Sequence, residues 1–243
     1  MTSAPVLPDV WTLVAFDSVG STNDEAAALA EAGAPEGTVV WAREQTGGRG
    51  RRGRVWASPR GNLYSSTILR PDCPAARAAE LGFVAGLAVA ELASGRDVRL
   101  KWPNDVLVGG GKVAGILPES SVVADGRVEH VIMGIGVNIG FAPELPDMRY
   151  PGAKLGGTVE AALEGLAAGL DRWMRIWRHE GFDGVREAWL AKAGPLGAPV
   201  DVRLGEGLVR GRFAGLDRDG ALLLDTDGGP RRVVSGEILG RAA

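Results

Sequence analysis

The sequence contains few residues of the kinds that build disulfides and zinc sites. Its 243 residues include one cysteine, Cys73, and two histidines. A single cysteine forms no internal disulfide, and these counts leave no zinc cluster of the usual ligand number and spacing. Because disulfides persist mainly in oxidising compartments, the cysteine count favours a cytoplasmic protein.

Long apolar runs are missing as well. No run approaches the roughly 20 residues that a membrane-spanning helix requires, and residues 1–9 lack the basic-then-apolar order of a secretory signal. The formal net charge is −3, whereas domains that grip a nucleic-acid backbone are usually strongly basic. We therefore expect neither a membrane nor DNA as a partner of this protein.

The positive charge that is present is concentrated in residues 45–54, which read Gln-Thr-Gly-Gly-Arg-Gly-Arg-Arg-Gly-Arg. Glycine permits a close approach of the backbone to a ligand, and the guanidinium is a planar fork of donors that matches phosphate and carboxylate. The run predicts an anion-binding loop. Its spacing alone leaves open a solvated basic loop or a nucleic-acid patch, but a local cluster on a mildly acidic chain suits a small phosphate-bearing ligand better.

The pattern of apolar residues predicts a mixture of helices and strands up to residue 195. A helix begins near Ser21, where Thr22 is expected to cap it, and ends at Gly33. Apolar residues at helical spacing predict three more helices, at Pro74–Ser94, Thr158–His179 and Phe182–Ala193. Strands are predicted at Thr38–Ala42, Asn62–Leu69 and Asp97–Trp102, in a hairpin of Val106–Val108 and Lys112–Leu117, and at a central Glu129–Ile139.

The pattern changes near residue 195. Between residues 199 and 239, short alternating runs are separated by glycine-containing turn signals, as in a small β-barrel. We therefore predict two domains, a larger one over residues 1–195 and a small barrel over residues 196–243.

Five motifs follow one another along the chain. They are Ser21-Thr22-Asn23, the arginine–glycine loop, Lys101-Trp102-Pro103-Asn104-Asp105, Lys112-Val113-Ala114-Gly115-Ile116-Leu117 and Gly134-Ile135-Gly136-Val137-Asn138. The biotin–protein ligases carry such motifs in this order, and the chain resembles that family from about Val10 to the barrel. One departure is Pro118, where the family usually has an aliphatic residue. Proline cannot donate to a strand ladder, so it is expected to end that strand or to place it at an edge.

The resemblance implies an α/β fold with a class II aminoacyl-tRNA synthetase-like catalytic domain, in which helices flank a mixed sheet, and a small SH3-like β-barrel. It implies two steps: biotin and ATP give biotinyl-5′-AMP, and a lysine of a biotin carboxyl carrier domain of a carboxylase then takes the biotinyl group. Mg²⁺ is expected with ATP. Relatives include monomers and homodimers. The match begins near Val10, so the monofunctional type without a DNA-binding domain is expected.

The resemblance also assigns roles to residues of the motifs. Lys112, Arg51 and Asp105 are the expected catalytic residues, and Asp105 is the candidate for holding Mg²⁺. The expected biotin-binding residues are Ser21, Thr22, Asn23, Gln45, Gly48, Arg49, Gly50, Arg51, Lys112 and Gly115. The expected nucleotide-binding residues are Arg49, Arg51, Arg52, Arg54, Trp56, Lys101, Asn104, Asp105 and Asn138.

Simpler interpretations stay open for several of these residues. Lys112 alone reads as an exposed hairpin lysine, Asn104 as a turn residue and Trp56 as a core residue. Two rival functions also stay open. A lipoate–protein ligase uses the same adenylate chemistry on a similar fold, and a non-enzymatic nucleic-acid-binding protein would use the loop as a basic patch.

Overall fold

The computed structural model describes residues 5–143 and 150–239. Seven strands form a mixed sheet in the order β1-β2-β3-β7-β6-β5-β4. They are β1 (Thr12–Val19), β2 (Thr38–Gln45), β3 (Leu63–Leu69), β4 (Val98–Lys101), β5 (Asp105–Val108), β6 (Gly111–Val122) and β7 (Val128–Val137). The first two strands are parallel and are joined by helix α1 (Thr22–Glu31); the other neighbours are antiparallel. The predicted central strand is β7, at the middle of the sheet.

Helices cover both faces of this sheet because side chains alternate along each strand. In β7, Ile132 packs with alanines of α1 on one face. Its neighbours Val131 and Met133 belong to the large core on the other face. That core also contains helices α2 (Glu80–Leu92), α3 (Val159–Glu180) and α4 (Phe182–Leu190). Among the described residues, no helix combines the length and hydropathy that crossing a membrane requires.

The C-terminal part forms a second sheet of five antiparallel strands. In chain order they are β8 (Pro199–Leu204), β9 (Gly207–Leu216), β10 (Leu222–Thr226), β11 (Gly229–Val233) and β12 (Glu237–Leu239). This sheet packs on the first one: the indole Nε1 of Trp102 donates to the carbonyl of Gly220 at 3.1 Å. The exact division at residue 195 stays a prediction.

The structure corrects one local expectation and decides between the two outcomes that were expected at Pro118. Thr22 does not cap α1, because Ser21 is the N-cap residue and the Thr22 hydroxyl lies near Gln45 and Ser66 instead. Strand β6 does not end at Pro118, which stays paired with Met133. The amide of Ile116 points away from β7, toward the carbonyl of Asn104. By alternation the Pro118 nitrogen points to that same side, beyond the end of β5, where no ladder donor is needed.

The junction between the two sheets generates a stability prediction. Gly220 has a φ of +83°, and a Cβ there would lie 2.5 Å from the Phe83 ring. We expect Gly220→Ala to lower the free energy of unfolding by about 2–4 kcal/mol through backbone strain and overpacking. Gly228→Ala, whose Cβ would meet nothing closer than 3.8 Å, should change it by less than about 0.5 kcal/mol. Denaturant unfolding of both variants checks this, and equal midpoints would contradict it.

Candidate active site

A cavity of about 450 Å³ opens between the arginine loop, the start of α1 and the sheet. Of all the predicted site residues, only Gly48 does not line it. Those that do are Ser21, Thr22, Asn23, Gln45, Arg49, Gly50, Arg51, Arg52, Arg54, Trp56, Lys101, Asn104, Asp105, Lys112, Gly115 and Asn138. The fold therefore brings together residues that are more than a hundred positions apart in the chain.

Gly48 has a packing function in this structure. It lines a second, smaller cavity beside the loop. A Cβ at this position would lie 2.5 Å from both the Ser58 hydroxyl and the Trp56 carbonyl. A glycine is therefore required for the loop to fold back on itself, whatever the ligand.

One carboxylate with two ammonium groups forms the charged wall of the cavity. The Asp105 Oδ1 lies 2.6 Å from Lys112 Nζ, and its Oδ2 lies 2.9 Å from Lys101 Nζ. Asp105 and Lys101 are buried. Burial by itself raises the pKa of the Asp105 carboxyl, but Lys112 and then Lys101 together lower the pKa below its ordinary value. Two cations on one anion leave this wall positive.

A β-bulge aims Lys112 at this carboxylate. Strand β5 pairs Val106 with Ala114 but Leu107 with Lys112, so the register shifts by one residue. In a regular ladder, Val113 would oppose Leu107 and share its face, because side chains alternate. The bulge instead buries Val113 in the core and puts Lys112 on the face of Asp105. Lys112 is therefore not the exposed hairpin lysine of the simpler interpretation.

The arginine loop contributes charges with different partners. Arg49 pairs with Asp24 at the start of α1, and Arg54 pairs with Glu237 in β12. Arg51 forms no ion pair within the described part of the chain. Its Nη1 donates to two neutral oxygens, the side-chain oxygen of Asn104 at 3.4 Å and the backbone carbonyl of Gly236, just before β12, at 3.3 Å.

The Arg51 guanidinium is more enclosed than its neighbours. Burial, and then the adjacent charge of Arg52, lower the pKa of Arg51 from its ordinary value, although an arginine remains charged at any physiological pH. Arg52 itself is exposed and takes a left-handed conformation with φ of 59°. Arg51 is thus a cation whose hydrogen-bond partners carry no opposing charge, which leaves it available to an anion in the cavity.

The Gly134-Ile135-Gly136 motif supplies space rather than polar groups. A Cβ at Gly134 would collide with the amide of Asn23, and one at Gly136 would collide with the indole of Trp56. Trp56 also lies over Gly115, where a Cβ would be 3.0 Å from its ring. Its indole Nε1 is buried and has no hydrogen-bond partner among the residues that the structure describes. Trp56 therefore lies in the cavity wall and packs directly against the backbone of Gly115 and Gly136.

Polar side chains at the start of α1 are fixed by a separate set of contacts. The Gln45 Oε1 accepts from the backbone N–H of Thr22 at 2.8 Å. The Gln45 Nε2 donates to the Ser58 hydroxyl at 2.9 Å, which in turn donates to the Trp56 carbonyl at 2.8 Å. These contacts fix the orientation of the Gln45 amide from both ends.

Two predicted asparagines use their amides mainly on the backbone. Asn138 Nδ2 donates to the carbonyls of Lys112 at 3.2 Å and Ala153 at 3.0 Å. Asn104 Nδ2 donates to the carbonyl of Ile116 at 2.8 Å. Both asparagines therefore hold the strand that carries Lys112, and Asn138 does so while buried.

The structure also adds residues that the motifs did not indicate. Glu237 and Tyr150 line the cavity, and the Tyr150 ring lies 4.4 Å from Lys101 Nζ. Ser66 lies behind Thr22 and Asn23, within 2.7 Å of both side chains. Each is far in sequence from its contact, so no local pattern could reveal it.

The residues present do not fit a protein-held magnesium site at Asp105. Both carboxylate oxygens already contact ammonium groups, whereas Mg²⁺ requires free oxygen ligands in near-octahedral geometry. Within residues 5–143 and 150–239, no group of three or more metal-ligating side chains is found. The expected role of Asp105 as a metal ligand therefore has no support in this geometry.

Comparisons with known proteins agree with the geometry. Residues 15–138 match the Biotin/lipoate A/B protein ligase family, and residues 196–239 match the biotin protein ligase C terminal domain. The chain belongs to the biotin/lipoate A/B protein ligase family. This confirms the resemblance seen in the five motifs and the predicted α/β fold with a small C-terminal β-structure.

Individual members of this family match along most of the chain. A biotin–[acetyl-CoA-carboxylase] ligase of Paracoccus denitrificans is 44% identical and covers 90% of this chain and 96% of that relative. The bifunctional ligase/repressor BirA of Bacillus subtilis is 36% identical over 93% of this chain and 73% of its own length. The solved biotin protein ligase from Aquifex aeolicus in complex with biotin and ATP has a TM-score of 0.79 at 29% identity, covering 95% of this chain and 99% of that one.

The buried charge cluster gives a pH-dependent prediction. Because the folded-state pKa of Asp105 is lowered, its contribution to stability is present above the ordinary aspartate pKa of about 4 and is lost as the pH falls below it. We expect Asp105→Asn to cost about 3 kcal/mol of unfolding free energy at pH 7 and clearly less at pH 3. Asp97→Asn, at an exposed pair with Arg99, is the control and should cost less than about 0.5 kcal/mol. An Asp105→Asn cost that is the same at both pH values would contradict the account.

Proposed function

We propose that this protein is an ATP-dependent ligase that activates biotin as biotinyl-5′-AMP and transfers the biotinyl group to a lysine of a biotin carboxyl carrier protein. The observation that carries the proposal is the excess positive charge in one cavity: Lys101 and Lys112 share the single carboxylate of Asp105, and Arg51 reaches the same space. A reaction between two anions requires such an excess.

In the first step, a carboxylate oxygen of biotin attacks the α-phosphorus of ATP. The bond from that phosphorus to the bridging oxygen breaks, and pyrophosphate leaves. Negative charge accumulates on the α-phosphate as the two anions approach. The ammonium of Lys112 and the guanidinium of Arg51 are proposed to stabilise that charge, while the contact with Asp105 holds Lys112 in position.

In the second step, the amine of the carrier lysine attacks the carbonyl carbon of the mixed anhydride. An amide forms, AMP leaves and the amine loses a proton. The acyl group is already activated, so the enzyme needs no nucleophile of its own. The arginine loop forms one wall of the cavity, and its proposed contribution is to exclude water from an anhydride that hydrolyses readily.

The partner is proposed to be the carrier domain of a biotin-dependent carboxylase, as in the name of the Paracoccus denitrificans relative. A cytoplasmic location, the monomeric or homodimeric state and the use of Mg²⁺ stay predictions. Because Asp105 is occupied by two lysines, no step is assigned to a metal held by the protein.

Substrate choice separates this proposal from its rivals. With Mg²⁺ and labelled pyrophosphate, we expect ATP–pyrophosphate exchange that depends on biotin and does not occur with lipoate. Adding a carrier domain with labelled biotin should give a labelled carrier band on a gel. Exchange with lipoate alone would favour a lipoate ligase. Salt-sensitive binding of an oligonucleotide without ATP turnover would favour a nucleic-acid-binding protein.

Removing either cation should slow adenylate formation without unfolding the protein. We expect Lys112→Ala and Arg51→Ala each to lower the biotin-dependent exchange rate about 10²–10³-fold, because each removes a charge at the reacting phosphate. Lys154→Ala and Arg43→Ala are the matched controls, since neither residue lines the cavity. Wild-type exchange in either test variant would remove that residue from the proposed mechanism, and thermal unfolding of each variant verifies its fold.

A further inference from the structure

We propose that Asn62 is a positioning residue for the nucleotide: its side-chain amide fixes the turn of residues 139–141, and that turn places the wall at one end of the cavity. The inference rests on the proposed function, because it assigns that end of the cavity to ATP. Asn62 is buried and does not line the cavity, so it acts through the residues that it holds.

The Asn62 amide is bound to this turn through both its oxygen and its nitrogen. The Oδ1 accepts from three successive backbone N–H groups, those of Ile139 at 2.8 Å, Gly140 at 3.0 Å and Phe141 at 3.3 Å. The Nδ2 donates to the carbonyl of Phe141 at 3.1 Å. A carbonyl oxygen has only two lone pairs, so three donors use its whole capacity. The backbone of the turn is therefore arranged around one side chain.

Two of the three amides depend on this oxygen alone. The Gly140 N–H also donates to the carbonyl of Gly61 at 3.0 Å. The Ile139 and Phe141 N–H groups have no second acceptor in the described part of the chain. Ile139 is buried, so water does not replace a lost acceptor there, and an unpaired buried N–H is costly. We therefore expect the turn to rearrange when the Asn62 side chain is shortened.

Close packing connects the turn to the strand that carries Lys112. A Cβ at Gly152 would lie 2.9 Å from the Ala142 Cβ and 3.0 Å from the Pro143 carbonyl oxygen, just after the turn. On its other side, Gly152 is bridged to Lys112, whose backbone N–H donates to the carbonyl of Pro151 at 2.9 Å. A displaced turn would thus displace the segment that runs beside Lys112.

The turn begins at the end of the cavity that is remote from α1. Asn23, at the start of α1, lies against Gly134 of β7. The turn follows Asn138, which is four residues further along and about 13 Å away at the spacing of a strand. Biotin is expected at the start of α1, so the opposite end of the cavity is left for the nucleotide.

Two residues of the wall that the turn places support this assignment. Pro143 and Tyr150 line the cavity. The Tyr150 ring lies 4.4 Å from the Nζ of Lys101, and Lys101 is an expected nucleotide-binding residue. A change at Asn62 should therefore weaken the binding of ATP and leave the binding of biotin unchanged.

The test measures the two substrates separately in the wild type, Asn62→Ala and Asn62→Asp. Biotin-dependent ATP–pyrophosphate exchange gives KM for ATP and kcat, and calorimetry without nucleotide gives Kd for biotin. Leu170→Ala is the matched control for lost stability, because it removes a buried side chain of α3 that does not line the cavity. All measurements are made below the unfolding temperature of every variant.

We expect Asn62→Ala to raise KM for ATP at least about tenfold. Its Kd for biotin and its kcat should change less than about threefold, because the Lys112 carbonyl keeps the N–H of Ala153 as a donor. Asn62→Asp should return KM for ATP to within about threefold of the wild type, since a carboxylate accepts N–H bonds more strongly than an amide. Leu170→Ala should show wild-type values for all three quantities.

A second variant tests the connection without changing Asn62. Gly152→Ala should push Ala142 and Pro143 away and raise KM for ATP with little change in Kd for biotin. Combined with Asn62→Ala, its effect should be less than additive, because both act on the same wall. Gly194→Ala, whose Cβ would meet nothing within 4 Å, is the control and should behave as the wild type.

Three results would overturn the inference. They are a wild-type KM for ATP in folded Asn62→Ala, an equal weakening of biotin and ATP in that variant, and an Asn62→Asp variant that is as impaired as Asn62→Ala. A wild type without any biotin-dependent exchange would instead overturn the proposed function.

Discussion

The site depends on a charge imbalance built into three adjacent strands. Asp105 is buried between Lys101 and Lys112. A buried ammonium is costly unless it is paired, and one carboxylate supports both lysines here. The carboxylate makes it possible to keep two positive charges in a low-dielectric wall, and one of those charges remains uncompensated. This uncompensated positive charge, together with the charge of Arg51, is what allows the cavity to bind an anion.

The fold provides this arrangement through register rather than through flexibility. Lys101 and Asp105 face each other in the β4–β5 pair. The bulge in β6 then brings Lys112 onto the same face, and the Asn138 amide holds the Lys112 carbonyl. The arginine loop closes the opposite wall and is connected to the second sheet through Arg54 and Glu237. Both sheets therefore contribute to one cavity.

Much of this was predictable from the sequence because its motifs are local. The arginine loop, the turn before Asp105 and the lysine strand all line the cavity, as the resemblance implied. The parallel edge strand β1 was not predicted, since it lies ahead of the first motif and its burial pattern is irregular. The prediction that Thr22 caps α1 was wrong, because the Thr22 hydroxyl instead forms tertiary contacts with Gln45 and Ser66.

The contacts that no local pattern could reveal are those between distant segments. Ser66 meets Thr22 across 44 positions, and Arg54 meets Glu237 across 183. The register shift that directs Lys112 toward Asp105 depends on the pairing of β5 with β6, and the sequence of neither strand indicates it. Motifs thus identified which residues belong to the site, whereas the direction of its hydrogen bonds and the partner of each charge required coordinates.

The most direct measurement is a crystal structure of the protein with biotinyl-5′-AMP. The account predicts that the acyl phosphate lies between Lys112 Nζ and the Arg51 guanidinium, with both within about 3.5 Å of its oxygens, while Asp105 keeps its contact with Lys101. A phosphate bound away from both cations, with Lys112 and Arg51 unmoved, would contradict the central claim.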